Sequence, residues 1–225
     1  MTGPPRYVWR FDVVLENLPH LLGGVWLTCF LTLLCMLLGL VVGLAVAMGR
    51  LSRWRLIRAT AFAYTEVFRT TPLLVQIVWV FYVLPIVTGI TLSAFFSGLV
   101  ALGFNVGAFM AEIYRAGILS VSPGQSAAGL ALGMTRGQVM RRVVLPQAVT
   151  RVIPPMATTW VALFKDTSVL SAIGVVELMF RAREIATDTF RPLEIFTVVS
   201  VIYFLLTYPQ SIAVNALYRR FRTQE

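Results

Sequence analysis

The stretch SPGQSAAGLALGMTRGQVMRRVVLP, Ser122 to Pro146, separates two long apolar segments. Its first half is rich in small residues and its second half is basic. Ser122-Pro123 predicts a helix start: a hydroxyl cap, then proline where no N–H is needed. Ala127, Ala128, Leu130, Ala131, Leu132 and Met134 favour helix. Gly133 interrupts it, and Thr135 with Gln138 three residues later has the form of a capping box. The second helix carries Val139, Met140, Val143 and Val144 on one side and Arg136, Arg141 and Arg142 elsewhere. Leu145-Pro146 is expected to stop it. The local expectation is two short helices meeting at a glycine, lying across a membrane surface where arginines collect. A basic cytoplasmic loop with no special partner is the other reading of the same spacing.

Composition places this stretch in a membrane protein. The chain has 225 residues, 58% of them apolar, and a mean hydropathy of +0.80. That length fits one domain and that composition puts most of it in lipid. The net charge of +9 does not point to nucleic acid. The basic residues fall in short clusters between apolar runs, as the positive-inside rule expects. Cys29 and Cys35 both lie in an apolar run, which favours packing over a disulfide or a metal site. The first apolar run, Leu21 to Met48, is too long for a signal-peptide core and lacks an Ala-x-Ala exit. It exceeds the roughly 20 residues that span a bilayer, so it is taken as the first span.

Working outward, residues 1–20 form a periplasmic or interfacial lead-in with Arg6, Arg10, Asp12, Glu16 and His20. Residues 21–222 form the membrane domain. The first span contains Gly39-x-x-x-Gly43, which lets helices approach closely. It ends at Arg50, Arg53, Arg55 and Arg58. The second, about Ala59 to Val87, is interrupted by Glu66, Arg69, Thr70, Thr71, Pro72 and Gln76, and Pro72 kinks it. Glu66 and Arg69 are spaced to pair on one helical face. Such groups are either a structural ion pair or face a cavity. The third span, about Leu92 to Ile113, holds Asn105 and Glu112, and Glu112 with Arg115 repeats the three-residue charge spacing. The fourth runs from Pro146 to about Phe164, bent by Pro154-Pro155, and breaks at Lys165-Asp166-Thr167-Ser168. A helix break with charges and hydroxyls suits a polar solute. Ser171 to Asp188 reads as a re-entrant or interfacial helix on the outside, and the last span is about Leu193 to Leu217.

Five spans follow. Twelve basic residues (Arg50, Arg53, Arg55, Arg58, Arg115, Arg136, Arg141, Arg142, Arg151, Arg219, Arg220 and Arg222) fall on one side. Six (Arg6, Arg10, Lys165, Arg181, Arg183 and Arg191) fall on the other. This predicts the N-terminus outside, and the central loop and C-terminus inside.

Several stretches resemble the permease subunits of polar amino acid ABC importers. Glu66-Val67-Phe68-Arg69-Thr70-Thr71-Pro72-Leu73-Leu74-Val75-Gln76 is similar to that family's E-x-F-R-G-T-P-L-L-V-Q signature, with Thr70 in place of glycine. Asn105-x-Gly107-Ala108-Phe109-x-Ala111-Glu112-Ile113-x-Arg115-Ala116-Gly117 and Lys165-Asp166-Thr167-Ser168-Val169-Leu170 resemble further segments. The central loop resembles the family's EAA loop through Gly124-Gln125, Leu132-Gly133 and Leu145-Pro146. There the family's Glu-Ala-Ala falls on Ala127-Ala128-Gly129, so the glutamate is missing. The resemblance runs from about Leu21 to Arg222. It implies an all-α, type I importer permease of five transmembrane helices in the bacterial cytoplasmic membrane.

The implied partners are a second permease subunit, two cytoplasmic ABC ATPases and an extracytoplasmic amino-acid-binding protein. ATP and Mg would be bound by the ATPase and no cofactor by this chain. Gly124, Gln125, Ala127, Ala128, Gly129, Leu132, Gly133, Leu145 and Pro146 would couple to that ATPase. Candidates for a zwitterionic solute are Glu66, Arg69, Thr70, Asn105, Arg115, Asp166 and Ser168, since arginine bonds to carboxylate are charge-assisted and can be bidentate. Ala128-Gly129 and the Lys165–Ser168 segment resemble members specific for glutamate and aspartate, with basic and amide amino acids as alternatives.

No catalytic or metal-binding set is expected. A phosphate-binding Walker loop needs Gly-Lys-Ser/Thr, and the only lysine, Lys165, stands between Phe164 and Asp166. His-Glu-x-x-His, Gly-x-Ser-x-Gly and Cys-x-x-Cys are absent from the sequence. An energy source for active transport would come from another chain. The alternatives are an ion-coupled carrier acting alone, using Glu66, Glu112 or Asp166, and a purely structural membrane subunit.

Overall fold

A computed structural model describes residues 7–222, with side chains to residue 219. Arg6, Arg220 and Arg222 of the charge count lie outside the described side chains. All regular structure among the described residues is helical. The elements are α1 (Asp12–Glu16), α2 (Leu18–Arg50), α3 (Arg55–Thr70), α4 (Leu73–Val78), α5 (Leu84–Thr88), α6 (Ala94–Leu119), α7 (Pro123–Ala131), α8 (Arg136–Val139), α9 (Leu145–Asp166), α10 (Leu178–Thr189) and α11 (Pro192–Arg222). Wide π turns at Trp79–Val83 and Met140–Val144 join α4 to α5 and α8 to α9. A 3₁₀ segment, Thr167–Ile173, continues α9.

The helices α2, α6 and α11 are long and apolar enough to cross a membrane, and α3 with α4–α5 forms one more candidate, bent by 109°. The α6 span is 61% buried inside the protein, against 33% for α2 and 11% for α11, so α6 is the central helix. The third expected span therefore extends past Ile113 to Leu119. The helix α9 has the length of a span but less apolar character, with Gln147, Arg151 and several threonines along it.

The contacts give each helix a direction. A Cβ on Gly39 would collide with Val106, and one on Gly43 would lie 2.9 Å from the Gly107 carbonyl. Cys35 meets the Leu99 carbonyl and Arg50 reaches Glu112. Residue numbers rise together, so α2 and α6 run parallel at close backbone approach, as small residues permit. By contrast Gly117 meets Val152 and Gly98 meets Leu170, so α9 runs antiparallel to α6. Trp160 donates to Gln210, and Thr158 lies by Tyr218, so α11 reverses direction again. The chain thus has a loop end, near Arg50, Leu119 and Leu145, and a far end, near Leu21, Ala94 and Leu178.

The main core joins Leu31, Met36, Ile77, Leu102, Met110, Leu163 and Leu170. A second core closes the far end with Val14, Leu21, Leu178, Ala182, Ile185 and Ile195. The helix α10 is seated there rather than starting at Ser171. Its N-cap, Glu177, is fully buried and accepts from the Met179 and Phe180 amides at 2.9 and 2.8 Å and from Tyr203 Oη at 3.0 Å. The expected re-entrant or interfacial helix is therefore anchored by one of its own acidic side chains. Buried charges survive when each oxygen finds a donor.

Candidate functional site

The bend between α3 and α4 follows from Pro72. Thr71 and Pro72 are extended, with ψ of 136° and 134°. Proline supplies no N–H and disfavours helix in the residue before it. The Phe68 carbonyl, which an unbroken helix would bond to residue 72, needs another donor. It receives Gln76 Nε2 at 2.8 Å and Asn105 Nδ2 at 3.0 Å. Gln76 Nε2 also reaches the Thr71 carbonyl at 2.8 Å, and Asn105 Nδ2 reaches Gln76 Oε1 at 3.1 Å. Gln76 and Asn105 are both buried. Gln76 was visible in the motif as a polar residue in an apolar run, but its role as the missing donor depends on the bend.

The candidate solute residues lie at three levels. Asn105 is at the break, with Glu66, Arg69 and Thr70 on the last turn of α3 beside it. Glu66 and Arg69 do not pair. The Arg69 guanidinium lies 5.8 Å from the centre of the Phe109 ring, and Thr70 Oγ1 donates to the Glu66 carbonyl at 2.7 Å. Spacing made the pair possible, but Arg69 points to α6 instead. Nearer the loop end, Arg115 forks onto Glu112, with Nε donating at 3.0 Å, and Arg50 approaches the same carboxylate at 3.7 Å. That trio fixes α2 against α6. Towards the far end, Asp166 and Ser168 are half-buried. The α-helix ends at the expected break, at Asp166, but the chain tightens into the 3₁₀ segment instead of opening: Thr167 Oγ1 donates to the Phe164 carbonyl at 2.7 Å and Ser168 Oγ to the Lys165 carbonyl at 2.6 Å. The chain brings Glu66, Arg69, Thr70 and Asn105 to the break and commits Arg115 to Glu112, while Asp166 and Ser168 stand at the start of the 3₁₀ segment, which packs against α4 just past the break.

The central loop is a compact helical hairpin. Ser122 makes no side-chain cap, but the Thr135–Gln138 capping box is complete, at 2.8 and 3.3 Å. Gly133 turns the chain at φ +80°, a region that disfavours side chains. Val121, Val139, Val144 and Ala148 form a small core with Met134. Gly129 is buried against it, where a Cβ would lie 3.0 Å from Val139 Cγ2. Met140, expected on the apolar side, is exposed, because the π turn rotates it outward. The same turn carries the helix past Leu145-Pro146. Pro146 sits in the first turn of α9, where its missing N–H is tolerated, and stops nothing.

Of the coupling candidates, Gly124, Gln125, Ala127, Ala128, Leu132, Gly133, Leu145 and Pro146 are exposed and Gly129 is buried. Leu132 is 85% exposed at the tip. Arg151 ties α9 to α6 through the Ser120 carbonyl and, at 3.1 Å, Ser120 Oγ. Among the described residues no group of three or more His, Cys, Asp and Glu could hold a metal ion.

The architecture is a helical bundle of candidate spans, one of them broken, with a self-packed hairpin at one end. The chain belongs to the binding-protein-dependent transport system inner membrane component family, whose model matches residues 23–223. The L-cystine transport system permease protein TcyB of Bacillus subtilis is 39% identical over 212 residues, covering 93% of this chain and 90% of that one. The glutamine transport system permease protein GlnP of Escherichia coli is 35% identical over 216 residues, covering 95% and 99%. A solved amino acid ABC transporter with histidines superposes at a TM-score of 0.90 and 34% identity, covering 95% of this chain and all of that one.

Proposed function

We propose that this chain is the permease subunit of an ABC importer for a polar amino acid, in the bacterial cytoplasmic membrane. The observation that carries this is the hairpin: a rigid, self-packed loop that holds Leu132 almost wholly exposed. An exposed leucine on a structured tip fits a groove on a partner. The partner is a cytoplasmic ATPase, and a second permease subunit and an extracytoplasmic binding protein complete the importer. The alternating helix directions support five crossings, α2, α3–α5, α6, α9 and α11. The arginine distribution supports an outside N-terminus and an inside loop.

Coupling follows from continuity. From Arg136 the helix runs through the π turn and α9 into the 3₁₀ segment at Ile173. A displacement of the hairpin therefore moves α9 along its length, and Arg151 carries α6 with it. Packed interfaces of this kind switch between discrete arrangements, which suits alternating access. The solute is held as a zwitterion near the Pro72 break, with Arg69 on its carboxylate. The Lys165–Ser168 segment supports glutamate or aspartate, and the relatives named for L-cystine and glutamine support a polar side chain with no net charge.

The test is purification of the tagged chain from solubilised membranes, with ATPase activity measured against a panel of amino acids and the binding protein. A stoichiometric ATPase stimulated by one amino acid supports the reading and fixes the solute. Absence of any ATPase overturns it in favour of an ion-coupled carrier.

A further inference from the structure

A cavity of about 530 Å³ opens at the loop end of the bundle, lined by Arg50, Arg55, Arg58, Ala59, Phe62 and Arg115. We propose that it binds the phosphate of an anionic phospholipid headgroup. Four guanidinium groups share one open cavity, and among the described residues Glu112 is the one carboxylate in ion-pair contact with any of them. Glu112 is already taken by the fork from Arg115. The Arg50 side chain is only 12% exposed, packed 4.9 Å from the Phe62 ring centre. Its Nη1 is buried and has no hydrogen-bond partner among the described residues. Arg55 and Arg58, on the first turn of α3, add donors in the same cavity that no carboxylate occupies. A buried guanidinium N–H without an acceptor is costly, and four like charges in one cavity repel. A phosphate resolves both, because its oxygens match the guanidinium fork.

The surroundings favour a lipid as the carrier of that phosphate. Trp54, next to Arg55, is 74% exposed, and Leu56 is 75% exposed. Exposed tryptophan beside arginine at the end of a span is the pattern of a headgroup-level anchor. The leucine and the Phe62 face offer apolar surface to acyl chains below the charge. Basic pockets between helices at a membrane surface recognise anionic headgroups in this manner.

The test uses the full chain, with the subunits that co-purify, stripped of lipid in detergent. Phosphatidylglycerol, phosphatidylcholine and inorganic phosphate are added separately, and bound molecules are counted by native mass spectrometry. Phosphatidylglycerol is expected to bind over phosphatidylcholine, and the double variant Arg55→Gln/Arg58→Gln to weaken it roughly tenfold or more. Both arginines are exposed, so the fold should survive their loss. Arg50→Lys, which keeps the charge facing Glu112 but removes the fork, should weaken binding as well. Arg53→Gln, in the turn just before α3 but outside the cavity, should leave it unchanged. Inorganic phosphate that binds as tightly as the lipid, with the same loss in the double variant, would keep the phosphate site and make its source aqueous. Equal retention of phosphatidylglycerol by wild type and the double variant, or equal loss with Arg53→Gln, overturns the proposal.

Discussion

The side-chain amide of Asn105 donates to Gln76 Oε1 at 3.1 Å across 29 residues of chain, and both amides converge on the Phe68 carbonyl. Two side chains on different helices thus supply what Pro72 withholds. The bend is a built feature: the Phe68 carbonyl that it frees is met by two buried side-chain amides.

That relationship predicts coupling between the two residues. Gln76→Ala and Asn105→Ala should each lower stability by about 1–3 kcal/mol, since each leaves a buried carbonyl short of a donor. The double variant should cost less than the sum, with a coupling of about 0.5–3 kcal/mol. Denaturant unfolding in mixed micelles measures it. Strictly additive effects would mean that the two amides act independently.

The bend itself was legible, because Pro72 within an apolar run has one physical consequence. So were α2, α11 and the Thr135–Gln138 box, each set by local composition. What the sequence concealed lies between helices. Glu66 and Arg69 have pairing geometry, yet Phe109 on α6 draws Arg69 away. Glu112 finds Arg50 as well as Arg115, a contact with no local spacing. Leu145-Pro146 reads as a stop, but a π turn absorbs the proline. Glu177 lies in a stretch that reads as a re-entrant or interfacial helix, and nothing local shows the donors from Thr28 and Tyr203 that surround it. The solute candidates were drawn from motif positions, and only tertiary packing shows that Arg115 is taken up by Glu112 while Arg69 turns to Phe109.

Glu177 should be a stability residue. Glu177→Ala strands two backbone amides at the start of α10 and unties Tyr203, costing about 1–3 kcal/mol. Glu177→Gln keeps one acceptor oxygen and should fall between. Thermal melts of the purified protein should rank wild type, Gln and Ala in that order. A Gln variant as stable as wild type would show that the second oxygen contributes nothing.

Leu132 should matter to the partner and not to the fold. Its side chain is 85% exposed and outside the small core of the hairpin. Leu132→Asp should leave membrane abundance unchanged and sharply reduce recovery of the ATPase in a pull-down. Gly133→Val should do the same through the backbone, because valine at φ +80° is strained. Transport unaffected by both substitutions would remove the hairpin tip from the docking surface.

Arg69 and Arg115 provide the sharpest contrast. Both are arginines in a motif, three residues after a glutamate. Arg115 is committed to Glu112, and its removal leaves that carboxylate with only the longer contact to Arg50. Arg115→Ala should therefore lower membrane abundance and transport together, as loss of one partner from a part-buried pair does. Among the described residues Arg69 has no carboxylate within ion-pair distance, and it lies over Phe109 beside the break. Arg69→Ala strands no charge, so abundance should hold while uptake falls by roughly tenfold or more, the scale of a lost charge-assisted bond to a carboxylate. Arg69→Lys restores the charge but not the fork and should recover uptake only in part. Uptake by reconstituted vesicles, normalised to the amount of subunit, separates the two outcomes. Equal loss of abundance in the Arg69 and Arg115 variants would make Arg69 a structural residue and leave the solute carboxylate to another group.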